Sequence, residues 1–275
     1  MLSTQQPDLS RPVVMGILNI TPDSFSDGGR FFSVGRAVEA GLSMVDAGAQ
    51  VLDLGGESTR PGAEPVSLDE ELDRVMPVLE KLRAETSVAL SVDTSKPDVM
   101  RAAIKAGADV INDVNALEAE GAISSVANSN VSLCLMHKRG NPSTMQANPQ
   151  YEDVVQEVFN YLQERIQACV DQGIALERIW IDPGFGFGKT LKHNLQLMNR
   201  LAEFKKLELP ILIGVSRKSM IGAILDCEID QRMVGGLALA AWSVLHGGAI
   251  IRTHDVKPTV EVLKVLEAVS AHARA

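Results

Sequence analysis

The chain has 275 residues, 45% hydrophobic and 22% charged, enough to build one large core or two modest ones, so disorder and fibrous architectures are excluded. Lys and Arg number 26 against 35 Asp and Glu, a net charge of -9 that argues against nucleic acid or an acidic membrane surface as partner and favours a small ligand. Apolar stretches such as 235–245 stop short of the ~20 residues that span a bilayer, and the first residues lack the basic start and apolar run of a signal peptide, so a cytoplasmic location is expected. Cys134, Cys169 and Cys227 show no metal-ligand spacing and read as buried reduced thiols.

Apolar runs alternate with segments of helical period, and no linker divides the chain, so residues 1–275 read as one domain. In chain order the residues predict a strand over 13–20, a helix over 35–47, a strand over 51–55 and a helix over 67–86. A strand over 88–94, a helix over 96–106 and strands over 110–114 and 132–137 follow. The remainder predicts a helix over 151–172, a strand over 179–183, a helix over 193–206, a strand over 211–216, a helix over 233–246, a strand over 250–254 and a helix over 258–271. The helix over 67–86 has the clearest signal: Leu68, Leu72, Val75, Met76, Leu79 and Leu82 recur at helical steps, and Ser67 with Glu70 has the spacing of a capping box.

Strands buried on both faces and joined by helices pair in parallel through right-handed crossovers. Eight such units in this length fit a single (β/α)8 TIM barrel better than an open doubly wound sheet. The related stretches DAGAQVLDLGG, KAGADVINDV and LHGGAIIRTHDV each close a helix on small residues, turn, and run into a strand that ends polar.

In such a barrel the active site lies at the C-terminal ends of the strands. The residues expected there include Asn19, Asp53, Glu57, Thr59, Arg60, Asp93, Asn112, Asp113, His137, Lys138, Asp182, Ser216, Arg217, Lys218, Arg252 and His254. Each alone could be a turn or helix cap. Together they divide into two subsites. Asp93, Asn112 and Asp182 suit a ligand edge rich in N–H donors, and Arg60, Lys218, Arg252 and His254 suit phosphate or carboxylate. The Pro/Gly-containing loops 21–29 and 58–65 are placed to cover this rim. The segment DPGFGFGKT (182–190) only imitates a phosphate-binding loop, because Pro183 stands where that motif needs glycine; it reads as a glycine wall for a flat ligand.

The segments GILNITPDSFSDGG (16–29), LDLGGESTRPGA (52–63), SVDTSKP (91–97), INDV (111–114), LMHKRGNPSTMQ (135–146), DPGFGFGK (182–189), GVSRKSMIG (214–222) and IIRTHDV (250–256) closely resemble the dihydropteroate synthase family, in the expected order over about 13–262. The resemblance implies a folate-pathway transferase joining 6-hydroxymethyl-7,8-dihydropterin diphosphate to 4-aminobenzoate. The products would be 7,8-dihydropteroate and diphosphate, formed by a dissociative displacement and blocked by sulfonamides. A methyltransferase of the same general fold could share Asp93, Asn112 and Asp182 but has no use for Arg60 or the 216–218 and 252–254 clusters.

The resemblance further implies that Asp182, Asn112 and Lys218 read the pterin, with Met136, Val114 and Phe187 against its faces. Diphosphate would lie near Asn19, Thr59, Arg60, Arg252 and His254, with Mg2+ bridging Asn19 and phosphate oxygens, while anionic Asp93 stabilises the developing cation. The 4-aminobenzoate pocket would use Phe25, Thr59, Pro61, Ser216, Arg217 and Lys218, beside a helix starting near Ser219. The family also suggests a homodimer.

Overall fold

The computed structural model describes residues 5–21, 30–58, 64–140, 145 and 148–272, with backbone only at 30–33 and 272. β1 (Val13–Asn19) leads to α1 (Arg30–Asp46), β2 (Val51–Gly55) to α2 (Leu68–Glu85), β3 (Ala89–Asp93) to α3 (Pro97–Lys105) and β4 (Val110–Asp113) to α4 (Ala122–Ala127). β5 (Ser132–Met136) then leads to α5 (Val154–Asp171), β6 (Ile179–Asp182) to α6 (Leu191–Asn199), β7 (Ile211–Ile213) to α7 (Ser219–Leu225) and α8 (Met233–Leu245), and β8 (Gly248–Thr253) to α9 (Val256–His272). The strands pair in parallel in sequence order and β8 closes on β1, which is the expected (β/α)8 barrel.

The two-residue period of each strand sorts its side chains. Val13, Met15, Val51, Ala89, Val110, Cys134, Trp180, Leu212 and Ile250 fill the floor of the barrel interior. Their neighbours, such as Val14, Leu52, Leu90, Ile111, Leu133, Ile181 and Ile251, pack beneath the helices. Stepping upward by twos from the floor reaches Asn19, Asp53, Asp93, Asn112, Met136, Asp182, Arg252 and His254. One alternation therefore builds an apolar plug and places a polar ring above it.

Several elements differ from expectation. Ser67 caps α2 by accepting the Glu70 N–H at 3.2 Å, but the Glu70 carboxylate pairs with Arg74 rather than completing a capping box. Arg74 also donates to Gly56 O at 2.8 Å, which ties α2 to the end of β2. The helix expected over 193–206 stops at Asn199 and continues as a 3-10 turn, Leu201–Leu207. There the Trp242 indole N–H takes the Met198 carbonyl at 3.2 Å, diverting an acceptor that the next α-turn needs. α4 was not expected, being six residues without a clear period. Its entry is held by Asp113, which accepts the Asn115 and Leu117 N–H groups at 2.8 Å each. β7 ends at Ile213, because 214–216 already turn toward α7. Cys134 and Cys169 are buried as expected, whereas Cys227, just beyond α7, is half-buried.

Candidate active site

Arg252 reaches from β8 across the barrel mouth to two carboxylates. Its Nε donates to Asp53 Oδ2 at 2.5 Å and its Nη2 to Asp93 Oδ2 at 2.8 Å. Asp53 is fully buried, and it also accepts Ser91 Oγ at 2.5 Å and Asn112 Nδ2 at 3.1 Å. An ionised carboxylate only accepts, so this contact fixes the Asn112 amide with Nδ2 toward Asp53 and the Oδ1 acceptor directed away. Burial works against charge on Arg252, but Asp53 and Asp93 outweigh it and hold the guanidinium above its usual value. Burial raises the Asp93 carboxyl, with Arg252 opposing and Asp53 adding to the rise.

The second group of residues gathers at Gly214. A Cβ placed there would lie 3.8 Å from Asp182 Oδ2 and 3.9 Å from Lys218 Nζ, so the missing side chain leaves a recess flanked by an acceptor and a donor. Asp182 Oδ1 accepts the Gly184 N–H at 2.7 Å. Burial raises the Asp182 pKa, and Lys218 is the largest influence against it. Lys218 donates to Phe185 O, its Nζ stands 4.6 Å over the Phe187 ring, and burial brings its pKa down to about 8.

The glycine wall needs its glycines. Gly184 and Gly188 have φ of 70° and 63°, and a Cβ on them would lie 1.8 Å from His137 O and 2.2 Å from Arg139 O. Met136 is buried at the end of β5, in register with Asp182, while Val114 and Phe187 are half-buried.

The remaining residues form the rim. Ser216 Oγ accepts the His254 backbone N–H at 3.1 Å and lies 3.0 Å from its Nδ1, within hydrogen-bond reach of the ring. Arg217, at φ 57°, turns outward and grips Asp255 at 2.6 Å and 3.3 Å. Asn19 is half-buried at the end of β1, paired with Gly55, which in turn pairs with Asp93. Phe25, Thr59, Arg60 and Pro61 lie outside the described residues, as does most of both expected covering loops.

The family model for pterin binding enzymes matches residues 15–254. Dihydropteroate synthase of Escherichia coli K12 is 53% identical over 261 residues, 95% of this chain and 93% of that protein. The chain belongs to the dihydropteroate synthase family. It is thus a pterin-transferring enzyme of folate biosynthesis. Among solved structures, Yersinia pestis dihydropteroate synthase in complex with a sulfonamide drug superposes with a TM-score of 0.93 at 48% identity, covering 98% of this chain and 99% of that one. Xanthomonas albilineans dihydropteroate synthase in complex with 7,8-dihydropteroate gives a TM-score of 0.89 at 46% identity, covering 97% of each chain.

Relative to the sequence reading, the dihydropteroate synthase site gains Asp53, expected at the rim but given no role. Its inward phase two residues beyond Val51 was the available signal. Lys189 was read only as part of a failed motif and is 3% exposed. No local pattern announces that burial, because it depends on the turn of the wall over His137.

Proposed function

We propose that the barrel mouth condenses 6-hydroxymethyl-7,8-dihydropterin diphosphate with 4-aminobenzoate, reading the pterin through Asp182, Asn112 and Lys218. The observation that carries this reading is the Gly214 recess, which the Asp182 acceptor and the Lys218 donor both flank. A reduced pterin presents N–H donors and ring acceptors along one flat edge, and Asn112 Oδ1 adds a further acceptor. Met136, Val114 and Phe187 flank the ring, and the backbone of 184–188 replaces a side-chain wall.

The diphosphate lies across Asn19, Thr59, Arg60, Arg252 and His254. As the bond from the pterin methylene to oxygen breaks, Arg60, Arg252 and His254 take the growing negative charge. Asp93, brought to Arg252 at 2.8 Å, stabilises the positive charge left on the methylene when ionised. The amine of 4-aminobenzoate then forms the new C–N bond and loses one proton to the departed diphosphate, its carboxylate end bound by Ser216, Arg217 and Lys218 with Phe25, Thr59 and Pro61 closing over it. Sulfonamides compete for that pocket.

Mg2+ fits this arrangement. Asn19 supplies a neutral, hard amide oxygen at the strand end, and the described residues contain no group of three His, Cys, Asp or Glu that would hold a metal by protein ligands alone. An ion that keeps waters and substrate phosphates suits one such oxygen. When bound it neutralises charge on the diphosphate.

The same reading makes the chain a single-domain, cytoplasmic homodimer. Among the described residues no helix is long and apolar enough to cross a membrane. Val234 and Leu245 on α8 are 69% and 61% exposed, and Ile224, Leu225, Val265 and Val269 extend apolar surface over α7 and α9, a face suited to a second copy.

The test is titration of the pterin diphosphate into wild-type protein and Asp182→Asn, with a coupled diphosphate-release assay. Removing the charged acceptor is expected to weaken binding roughly tenfold to a hundredfold. Release is expected only with 4-aminobenzoate and Mg2+ present. Unchanged affinity in Asp182→Asn would overturn the pterin assignment.

A further inference from the structure

Lys189 takes no part in the proposed reaction, although its side chain lies inside the protein against the glycine wall. Its Nζ is 2.8 Å from Gly184 O, 3.1 Å from Phe187 O and 2.9 Å from His137 Nδ1, with His137 O at 3.5 Å. Three polar atoms lie within hydrogen-bond reach of this nitrogen, and an ammonium serves all three when His137 Nδ1 accepts. His137 Nδ1 is then an acceptor, and the ring is neutral with its proton on Nε2. That state agrees with burial, which holds its pKa down at about 2. The ring stands edge-on to Tyr161 at a centroid distance of 4.9 Å and 88°.

All these polar contacts of Lys189 are with uncharged groups, an expensive setting for a charge. Burial pushes its pKa well down, and Asp182 is the largest influence in the other direction, with Lys218 and Arg139 opposing. The relation runs both ways. Lys218 first, then the Gly184 N–H, Lys189 and Arg252, favour the ionised form of Asp182 against burial.

The wall between the two residues is held at several points. Asn194 Oδ1 accepts the Gly186 N–H at 2.7 Å, and the Tyr151 hydroxyl donates to Gly188 O at 2.9 Å. Lys189 binds the carbonyls at both ends of the turn that carries Phe187, while Lys218 binds Phe185 O from the site side. The glycine wall is therefore gripped by one lysine in front and one behind.

We propose that Lys189 is a positioning residue for pterin recognition: its internal ammonium ties the 184–187 turn to His137 and keeps the Asp182 carboxylate in the anionic, acceptor-only form. The inference rests on the assignment of Asp182 to the pterin edge. It differs from a purely structural role in one respect, since it links Lys189 to the protonation of Asp182 as well as to the shape of the wall.

The test compares wild type, Lys189→Met and Asp182→Asn in binding of 6-hydroxymethylpterin, which lacks the diphosphate, from pH 5 to 8, together with KM for both substrates. Lys189→Met is expected to raise the pterin KM roughly tenfold, leave the 4-aminobenzoate KM within about twofold, and move the acid limb of pterin binding up by about one pH unit. An unmoved acid limb, or equal changes in the two KM values, would overturn the inference even where the variant loses stability. If Asp182→Asn binds the pterin like wild type, the assignment beneath it fails as well. Should Lys189→Met not fold, the Nζ nitrogen-15 shift of Lys189 in wild-type protein decides the matter. An ammonium shift persisting at pH 7 is expected, and a neutral amine there would overturn the inference.

Discussion

Arg252 on β8 and Asp53 on β2 are 199 residues apart in sequence, yet the guanidinium Nε donates to the carboxylate at 2.5 Å inside the barrel mouth. Asp53 thereby anchors three donors, Arg252, Asn112 and Ser91, although it was assigned no contact with substrate.

Removing Asp53 leaves the buried Arg252 with Asp93 as its one remaining carboxylate and takes the acceptor from the Ser91 hydroxyl and the Asn112 amide. Asp53→Ala is expected to cost about 3–5 kcal/mol of stability, measured by urea denaturation. Arg252→Ala and Asp93→Ala are expected to lower turnover roughly 10²-fold or more in the diphosphate-release assay. Turnover like wild type in either variant would remove that residue from the mechanism.

Lys218 donates to the pterin most strongly while protonated, because its hydrogen bonds are then charge-assisted. Burial brings its pKa from the ordinary 10.5 to about 8, so affinity for 6-hydroxymethylpterin is expected to hold below that pH and to fall as pH rises through it. In Lys218→Met the affinity should be lower overall and flat across the same window. A persistent alkaline limb in the variant would assign the titration to another group.

His137 makes the fold sensitive to acid. Its folded pKa is depressed to about 2 from 6.5, so between these values the unfolded chain binds a proton that the native ring refuses. Stability then rises with pH across that window and is lost as pH falls below about 6.5, at up to about 1.4 kcal/mol per unit. His137→Gln retains an acceptor for Lys189 without an ionisable ring. The stability difference between the two proteins is expected to shrink or reverse from pH 7 to pH 5, and a constant difference would contradict this account.

The exposed apolar face on α7, α8 and α9 gives a prediction about assembly. Val234→Asp places a charge at a position 69% exposed, where the fold of one chain has little reason to object. Sedimentation is expected to show a dimer for wild type and a monomer for the variant, with the same circular dichroism. Identical sedimentation of the two would move the interface elsewhere.

What the sequence alone determined was the barrel and most of its polar ring. Strand–helix alternation is a local, repeated signal, and the two-residue phase that buries Val51 or Val110 also carries Asp53 or Asn112 to the mouth. The motif resemblance then attached a reaction to those positions. The tertiary structure alone decided how the charges are spent: Arg252 clamped between Asp53 and Asp93, Arg217 turned out to Asp255, and Lys189 closed behind the glycine wall. These pairings join strands and loops far apart in the chain, and a side chain's charge state depends on what surrounds it in three dimensions. Burial and partner geometry set that environment, and neither is written in the periodicity of a single strand.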